Sequence, residues 1–251
     1  MNLRTVEATR YVMPLREGGS LPGLLEGNDD GLYVAKFRGA GQGPKALVAE
    51  VIAGELARAL GLRIPELVLL GIDPQLANAE PDEEIQDLLA KSAGTNLGVD
   101  FLPGALPFNP AVGPAPDAEL AANIVWFDAL VTNVDRTARN TNLLMWHENV
   151  WLIDHGAALY FVYPDTPTPG AERAAFALIK DHVLLPVAGS IMDADARLGP
   201  RVTPALVDQV LDAVPVVWLD DGGVKRYRDY LVARIRAPRA FAEEAERARG
   251  R

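Results

Sequence analysis

The sequence contains no cysteine and only three histidines in its 251 residues. The absence of cysteine excludes disulfides, thiolate zinc sites and a cysteine nucleophile, and it fits a reducing compartment. The histidines, at positions 147, 155 and 182, do not have the spacing of metal ligands. Since 49% of the chain is hydrophobic, we expect a substantial core that forms without metal or disulfide crosslinks.

The sequence also has fewer positive than negative charges, and it has no long apolar run. A net charge of −10 argues against general nucleic-acid binding, because contacts to phosphates require clustered Lys and Arg. No uninterrupted apolar stretch approaches the length needed to span a membrane, and no basic segment near Met1 leads into one. We therefore expect a soluble, cytoplasmic protein that does not associate with membranes.

The most informative segment that is present contains Asp135, Asn140 and Asp154. An Asp at the start of a loop can orient or deprotonate an attacking hydroxyl, and an Asn five residues later can bind Mg²⁺. Two short apolar runs, 143–146 and 150–153, are separated by a polar break that is typical of a hairpin turn. The hairpin would bring Asn140 near Asp154, which predicts a phosphoryl-transfer site.

The Asp-Asn spacing alone is not specific, because Asp73/Asn78 and Asp128/Asn133 repeat it. Asp73 lies in a proline-containing turn, and Asp128 lies in an apolar run that predicts a buried helix. Neither pair is followed by a hairpin that ends in Asp. The alternative for the Asp135 segment is a capping Asp, a turn Asn and a strand-end Asp that make only local hydrogen bonds.

The N-terminal part has the composition of strands and turns, and Lys36 is a lone charge in the apolar run 32–37. A helix is predicted from Pro44 to Gly61 by its apolar i, i+4 spacing. Glu50 lies off the apolar stripe beside small residues, so it could approach Lys36 on a facing strand. Lys36 could instead be an edge-strand lysine, and Glu50, like Glu55, a solvated group.

A proline-rich stretch marks the best boundary in the chain. It divides the sequence into a strand-rich part, 1–102, a connection, 103–116, and a larger part, 117–251. From about Ala171 onward the apolar spacing predicts helices. A nucleotide cleft between the two main parts would follow from this organisation.

These motifs together resemble those of the HipA-like kinases, a branch of the protein-kinase-like superfamily that includes phosphatidylinositol kinases and aminoglycoside phosphotransferases. The similarity spans roughly residues 16 to 160. Arg136 directly after Asp135 is similar to the Asp-Arg-His start of HipA-like and phosphatidylinositol kinases. Thr137 stands where these relatives have His, and His155 stands where Phe or Val often follows the metal-binding Asp.

The resemblance implies an α+β, two-lobed protein-kinase-like fold. Its small antiparallel β-rich N-lobe would carry one main helix, and its larger C-lobe would be mostly helical. The resemblance makes Lys36 the lysine that pairs with nucleotide phosphates and Glu50 the glutamate that orients it. Asp135 becomes the catalytic Asp, while Asn140 and Asp154 become the Mg²⁺ ligands.

Two groups of residues complete the nucleotide site that the resemblance implies. The first would donate hydrogen bonds to phosphate oxygens, and the second would contact adenine. The groups are Gly18, Gly19 and Ser20, and Val99, Phe101 and Leu102. A Gly-Gly pair is also common in hairpin turns, which is the alternative for the first group.

The expected activity is therefore phosphoryl transfer from ATP, dependent on Mg²⁺, and the resemblance suggests a protein Ser/Thr hydroxyl as acceptor. A small-molecule alcohol is an open alternative. A pseudokinase or nucleotidyl-transferring relative would keep the ATP site with altered chemistry at Thr137 and His155. A non-catalytic interaction protein would use the Asp and Asn residues only in turns.

Overall fold

The structure is a computed structural model that describes residues 1–15, 22–41, 43–113, 115–162 and 170–250. Its strands are β1 Arg4–Pro14, β2 Gly23–Gly27, β3 Leu32–Lys36, β4 Leu67–Ile72, β5 Gly94–Asp100, β6 Leu106–Pro107, β7 Leu143–Trp146 and β8 Asn149–Leu152. Its α-helices are α1 Pro44–Ala59, α2 Glu83–Lys91, α3 Ala118–Val131, α4 Ile191–Leu198, α5 Pro204–Leu211, α6 Lys225–Arg234 and α7 Ala240–Arg249. The fold is mixed, with a sheet-rich N-terminal part and a helical C-terminal part.

The N-terminal sheet closes into a barrel in the order β1-β2-β3-β5-β4. Antiparallel pairs connect consecutive neighbours from β1 to β4, but β1 and β4 close the barrel as a parallel pair. The expectation of an antiparallel N-terminal sheet is therefore wrong at this closing pair. The parallel pairing joins segments about sixty residues apart, so no hairpin turn in the sequence could indicate it.

Alternating strand residues fill the inside of the barrel. Val6, Leu25, Tyr33, Val68 and Leu70 are all buried in one apolar cluster. This pattern follows from the two-residue period of a strand, in which successive side chains point to opposite faces. The barrel therefore has its own core and presents its other face to the rest of the protein.

Helix α1 packs between the barrel and the C-terminal helices, which explains why it is apolar on every side. Residues 47–57 are all buried in it. A Cβ atom on Gly54 would lie 2.7 Å from Leu67 Cδ1, so the small residue is required where the helix meets β4. One continuous apolar cluster extends from α1 through α3 to α7, and it fixes α1 and its Glu50 relative to the C-terminal part.

Helix α3 is the central helix of the C-terminal part and leads into the catalytic segment. Asp117 caps its first turn by accepting a hydrogen bond from the Leu120 N–H at 2.9 Å. The helix ends at Thr132, whose φ of 52° turns the chain out of the helix. Beyond the loop, β7 and β8 form the predicted hairpin, with His147 and Glu148 in left-handed conformations at its turn.

The segment 171–187 differs from its expected helical structure. It forms short 3-10 turns at Ala171–Arg173, Ala177–Asp181 and Leu185–Val187. The Val183 N–H donates to the Arg136 carbonyl at 3.1 Å instead of to a preceding turn of helix. Within the ranges that the structure describes, no helix combines the length and apolar content needed to cross a membrane.

Candidate active site

Lys36 ends strand β3 and makes two ion pairs that join separate parts of the fold. Its ammonium group pairs with the Glu50 carboxylate from α1 and lies 2.7 Å from Asp154 Oδ1, just beyond β8. Gly156 permits this approach, since a Cβ atom there would lie 3.2 Å from Glu50 Oε1. The predicted pairing of Lys36 with Glu50 is present, and Asp154 is added to it.

Burial and charge act in opposite directions on these three groups. Burial raises the pKa of Glu50, and the Lys36 charge opposes this rise only in part. Burial would lower the pKa of Lys36, but the charges of Glu50 and Asp154 outweigh it and the net shift is upward. The Lys36 charge lowers the pKa of Asp154. Lys36 therefore stays protonated and Asp154 ionised at neutral pH.

Asp135 accepts hydrogen bonds from two asparagine amides. Asn140 Nδ2 lies 2.8 Å and Asn142 Nδ2 lies 3.2 Å from the same oxygen, Asp135 Oδ2. The Asp135 N–H donates to Asn133 Oδ1 at 3.1 Å, which fixes the backbone before the carboxylate. Both amides bind Oδ2, so Asp135 Oδ1 is the oxygen of this carboxylate to which a further hydroxyl group can donate.

Arg136, the residue after Asp135, connects the catalytic loop to the segment that carries Asp154. Its fully buried guanidinium group donates to the carbonyl of Asn142 and to the carbonyl of Ile153 at 3.4 Å. It also lies 3.1 Å from His155 Nε2. Because a guanidinium group is planar and always charged, these bonds fix the two loops relative to each other.

The carboxylate of Asp128, on α3, neutralises the charge of the Arg136 guanidinium group. Asp128 Oδ2 accepts from Arg136 Nε at 2.6 Å and from His182 Nε2 at 2.9 Å, while Oδ1 accepts from Asn133 Nδ2 at 3.0 Å. Burial alone would raise its pKa, but the charge of Arg136 and the bond from His182 lower it overall. The Asp128/Asn133 pair, set aside in the sequence, therefore supports the catalytic loop and is not itself at the cavity.

The hydrogen-bond partners of the two buried histidines define their neutral tautomers. The Leu184 N–H donates to His182 Nδ1 at 3.0 Å, so His182 Nε2 carries the proton that it donates to Asp128. Arg136 donates to His155 Nε2, so the His155 proton is on Nδ1. Burial lowers the pKa of His155 to about 3 and also lowers that of His182. Neither histidine acts as a proton carrier at neutral pH.

A cavity of about 950 Å³ lies between the barrel and the β6-β7-β8 sheet. Four residues of its lining, which we call its polar end, are Lys36, Asp154, Asn140 and Asn142. The predicted adenine contacts, other apolar residues and Asp100 complete the lining. Those contacts are Val99, Phe101 and Leu102. A cavity of this size with a few convergent polar groups is typical of a small-molecule site. Gly18, Gly19 and Ser20 lie outside the described residues.

Most predicted site residues line this cavity, whereas Glu50 and Asp135 are not in its lining and contact it through Lys36 and through Asn140 and Asn142. His182 and Asn142 join the site through contacts with distant segments, so local spacing could not find them. The sequence marked Arg136 as part of the family motif but did not indicate its buried contacts. Asp128 gave one signal: a lone carboxylate in an apolar helix must have a buried partner. Glu55, the alternative to Glu50, instead pairs with Arg58 on its own helix.

The polar end of the cavity fits a hard divalent cation. Asp154 provides a carboxylate there, and Asn140 and Asn142 provide amide oxygens while their NH₂ groups are bound to Asp135. Among the described residues, no group of three or more His, Cys, Asp or Glu side chains could enclose a metal alone. Mg²⁺ commonly binds to one or two protein oxygens and completes its shell with waters and phosphates, so the donor set fits this ion.

Similar solved structures identify the fold as that of a kinase. The crystal structure of the Helicobacter pylori proinflammatory kinase CtkA aligns with a TM-score of 0.54 at 14% identity, covering 98% of each chain. The Golgi casein kinase aligns at 0.53 and 12% identity, covering 99% of this chain and 73% of the other. Its structure with Mn/ADP bound gives the same TM-score and identity over 98% and 73%.

The family follows from the sequence itself. The model of the HipA-like kinase family matches residues 9–187, well over half of the chain. A sequence search among curated proteins finds no match. The chain belongs to the HipA-like kinase family and is a kinase, as its motifs predicted.

Proposed function

We propose that this protein transfers the γ-phosphoryl group of ATP to a hydroxyl acceptor, dependent on Mg²⁺. Residues 1–102 would form the N-lobe of a two-lobed kinase, 103–116 the connection and 117–251 the C-lobe. The observation that carries the proposal is the double ion pair of Lys36 with Glu50 and Asp154 at the polar end of a large cavity. A single cation held there by two carboxylates is placed to bind phosphate oxygens.

Each residue of the site has a distinct proposed role. Lys36 binds nucleotide phosphates, and Glu50 fixes its ammonium group from the rigidly packed helix α1. Asp154 and an asparagine of the catalytic loop hold Mg²⁺, which when bound would neutralise charge on the phosphates. Asn140 remains the predicted second ligand. Val99, Phe101 and Leu102 contact the adenine from the apolar walls of the cavity.

Asp135 acts on the acceptor side of the reaction. Its carboxylate is fixed by two amide donors, so its remaining oxygen can accept the proton of a hydroxyl group that approaches the γ-phosphate. This arrangement needs no histidine, which agrees with Thr137 standing where the relatives have His. Positioning and charge stabilisation would then provide most of the catalysis, as is usual for phosphoryl transfer.

A protein Ser or Thr hydroxyl is the acceptor class that we propose, on the strength of family membership. The support for nucleotide and metal use includes a similar fold whose crystal structure contains Mn/ADP. A small-molecule alcohol would use the same Asp135 geometry. Incubation with a peptide library or with a panel of alcohols and amino alcohols distinguishes these acceptors.

The proposal is tested by analysing reaction products by mass spectrometry after incubation with ATP, Mg²⁺ and candidate acceptors. Addition of a phosphoryl group that is lost in Asp135→Ala, with nucleotide binding retained, is the expected result. Addition of a nucleotidyl group would identify a nucleotidyl transferase instead. Wild-type phosphoryl transfer by Asp135→Ala would refute the role of this carboxylate.

A further inference from the structure

The catalytic loop presents two asparagines, Asn140 and Asn142, to the same carboxylate oxygen of Asp135. Both also line the cavity. Family motif spacing selects Asn140 as the metal ligand, but spacing alone does not say which amide lies beside Asp154. The backbone contacts of the two residues differ, and they separate the two roles.

The backbone of Asn140 is bound within the acceptor-side loop. The Thr137 N–H donates to the Asn140 carbonyl at 2.9 Å, and the Asn140 N–H donates to Thr137 Oγ1 at 3.4 Å. These bonds close a tight turn next to Asp135. Asn140 is solvent-exposed, and the hydrogen bonds just described connect it to Thr137 and Asp135 of its own loop.

The backbone of Asn142 is bound to that segment instead. The Ile153 N–H donates to the Asn142 carbonyl at 3.1 Å, directly before β7 pairs with β8. Arg136 donates to the carbonyls of both Asn142 and Ile153, which fixes them side by side. Asn142 therefore lies across the hairpin from the residue that precedes Asp154, and its side chain is only 8% exposed.

The backbone conformations of Asn142 and Asp154 are a second sign that the two act together. Their φ angles are 47° and 56°, in the left-handed region. Asn and Asp tolerate this region better than other non-glycine residues, and its use by two facing residues beside a cavity indicates a functional constraint. In this conformation Asn142 donates its NH₂ group to Asp135, which leaves its Oδ1 as an oxygen ligand.

We propose that Asn142, with Asp154, holds the divalent cation, and that Asn140 is a positioning residue for Asp135. This inference rests on the proposed function, because it assumes that a metal-nucleotide complex occupies the cavity. The two amides beside Asp135 would then have separate roles. Asn140 would fix the carboxylate on the acceptor side, and Asn142 would bind the metal on the other side.

The test compares Asn142→Gly with Asn140→Gly in the full chain. Glycine adopts a positive φ without strain, so Asn142→Gly removes the amide while preserving the loop. ATP affinity is measured by calorimetry over a series of Mg²⁺ concentrations, and repeated with Mn²⁺. We expect Asn142→Gly to raise the half-saturating metal concentration about tenfold or more, and Asn140→Gly to change it less than about twofold.

A third variant, Asn142→Asp, retains an oxygen ligand and a side chain that tolerates the left-handed conformation. Its new carboxylate would lie beside that of Asp135 in place of the amide donor, so we expect a metal requirement between those of the wild type and Asn142→Gly. Circular dichroism verifies that all variants are folded. An equal or larger metal shift in Asn140→Gly would overturn the inference. Failure of the proposed function is distinguishable, because the wild type would then bind no ATP in a metal-dependent manner.

Discussion

Replacing Asp128 by Asn would test whether the buried network beneath the catalytic loop sets its geometry. The side chains of Asp128 and Arg136 both have 0% exposure, so the guanidinium charge has no solvent to neutralise it once the carboxylate is lost. The substitution keeps the size of the side chain. It removes the charge and, depending on the orientation of the new amide, leaves either Asn133 or both His182 and the Arg136 Nε without an acceptor.

The expected magnitude follows from the burial of the pair. Removing one partner of a buried ion pair costs about 3–5 kcal/mol, because the remaining charge is uncompensated. A domain has about 5–15 kcal/mol of stability in total, so Asp128→Asn should remain folded with a small margin. The urea dependence should be near 3 kcal/mol per molar, the upper end of the usual range, because it increases with chain length. The unfolding midpoint should therefore fall by about 1–2 M.

Urea unfolding followed by circular dichroism measures this loss, and phosphotransfer assays without denaturant measure its effect on turnover. Asp195→Asn is the matched control, because Asp195 is 8% exposed and bonds to Arg239 and Trp126 far from the cavity. We expect both variants to be destabilised, but only Asp128→Asn to lose turnover. A loss of stability below about 1 kcal/mol, or equal turnover in the two variants, would refute the reasoning.

Three further perturbations probe other parts of the structure. Lys36→Met removes the cation shared by two carboxylates, and we expect turnover at saturating ATP to fall about 100-fold or more. Unchanged turnover would exclude a role of Lys36 in binding phosphate. His182 is buried with a pKa below its usual 6.5, so only the unfolded state binds its proton as the pH falls. The stability of wild type relative to His182→Gln should therefore decrease as the pH falls below 6.5 in urea titrations, by at most about 1.4 kcal/mol per pH unit. A pH-independent difference would contradict a buried neutral His182. Arg234→Lys loses a guanidinium group that donates to the carbonyls of Ala129, Leu130, Glu172 and Ala174. We expect thermal unfolding to show a loss of about 2 kcal/mol or more, since three N–H groups on one nitrogen cannot replace all four bonds.

The parts of the fold with a local periodic signal could be predicted from the sequence. Helix α1 was expected from Pro44 to Gly61 and runs over Pro44–Ala59, and the hairpin after the catalytic loop forms where its apolar runs lie. Barrel closure could not be predicted, because the β1-β4 register depends on residues distant in the chain. The segment 171–187 has helical spacing but bonds to the catalytic loop, so a tertiary contact overrides its local pattern.

The candidate site was predictable where residue type and sequence position are informative together. Lys36 is a lone charge in an apolar strand, and Asp154 follows a strand that the hairpin places beside the loop. Asn142 gave no such signal, and Arg136 was marked by its position after Asp135 in the family motif but not by any sign of its buried contacts. Their importance comes from the Ile153 backbone, which contacts both only after the hairpin has folded onto the loop.

The central claim is that the polar end of the cavity binds ATP together with a divalent cation through Lys36 and Asp154. Calorimetric titration with ATP, with and without Mg²⁺, in the wild type and in Asp154→Ala tests it most directly. We expect the wild type to bind ATP markedly more tightly with Mg²⁺ than without it, and Asp154→Ala to lose this difference. Equal ATP affinity with and without Mg²⁺ in the wild type, or an unchanged Mg²⁺ effect in the variant, would contradict it.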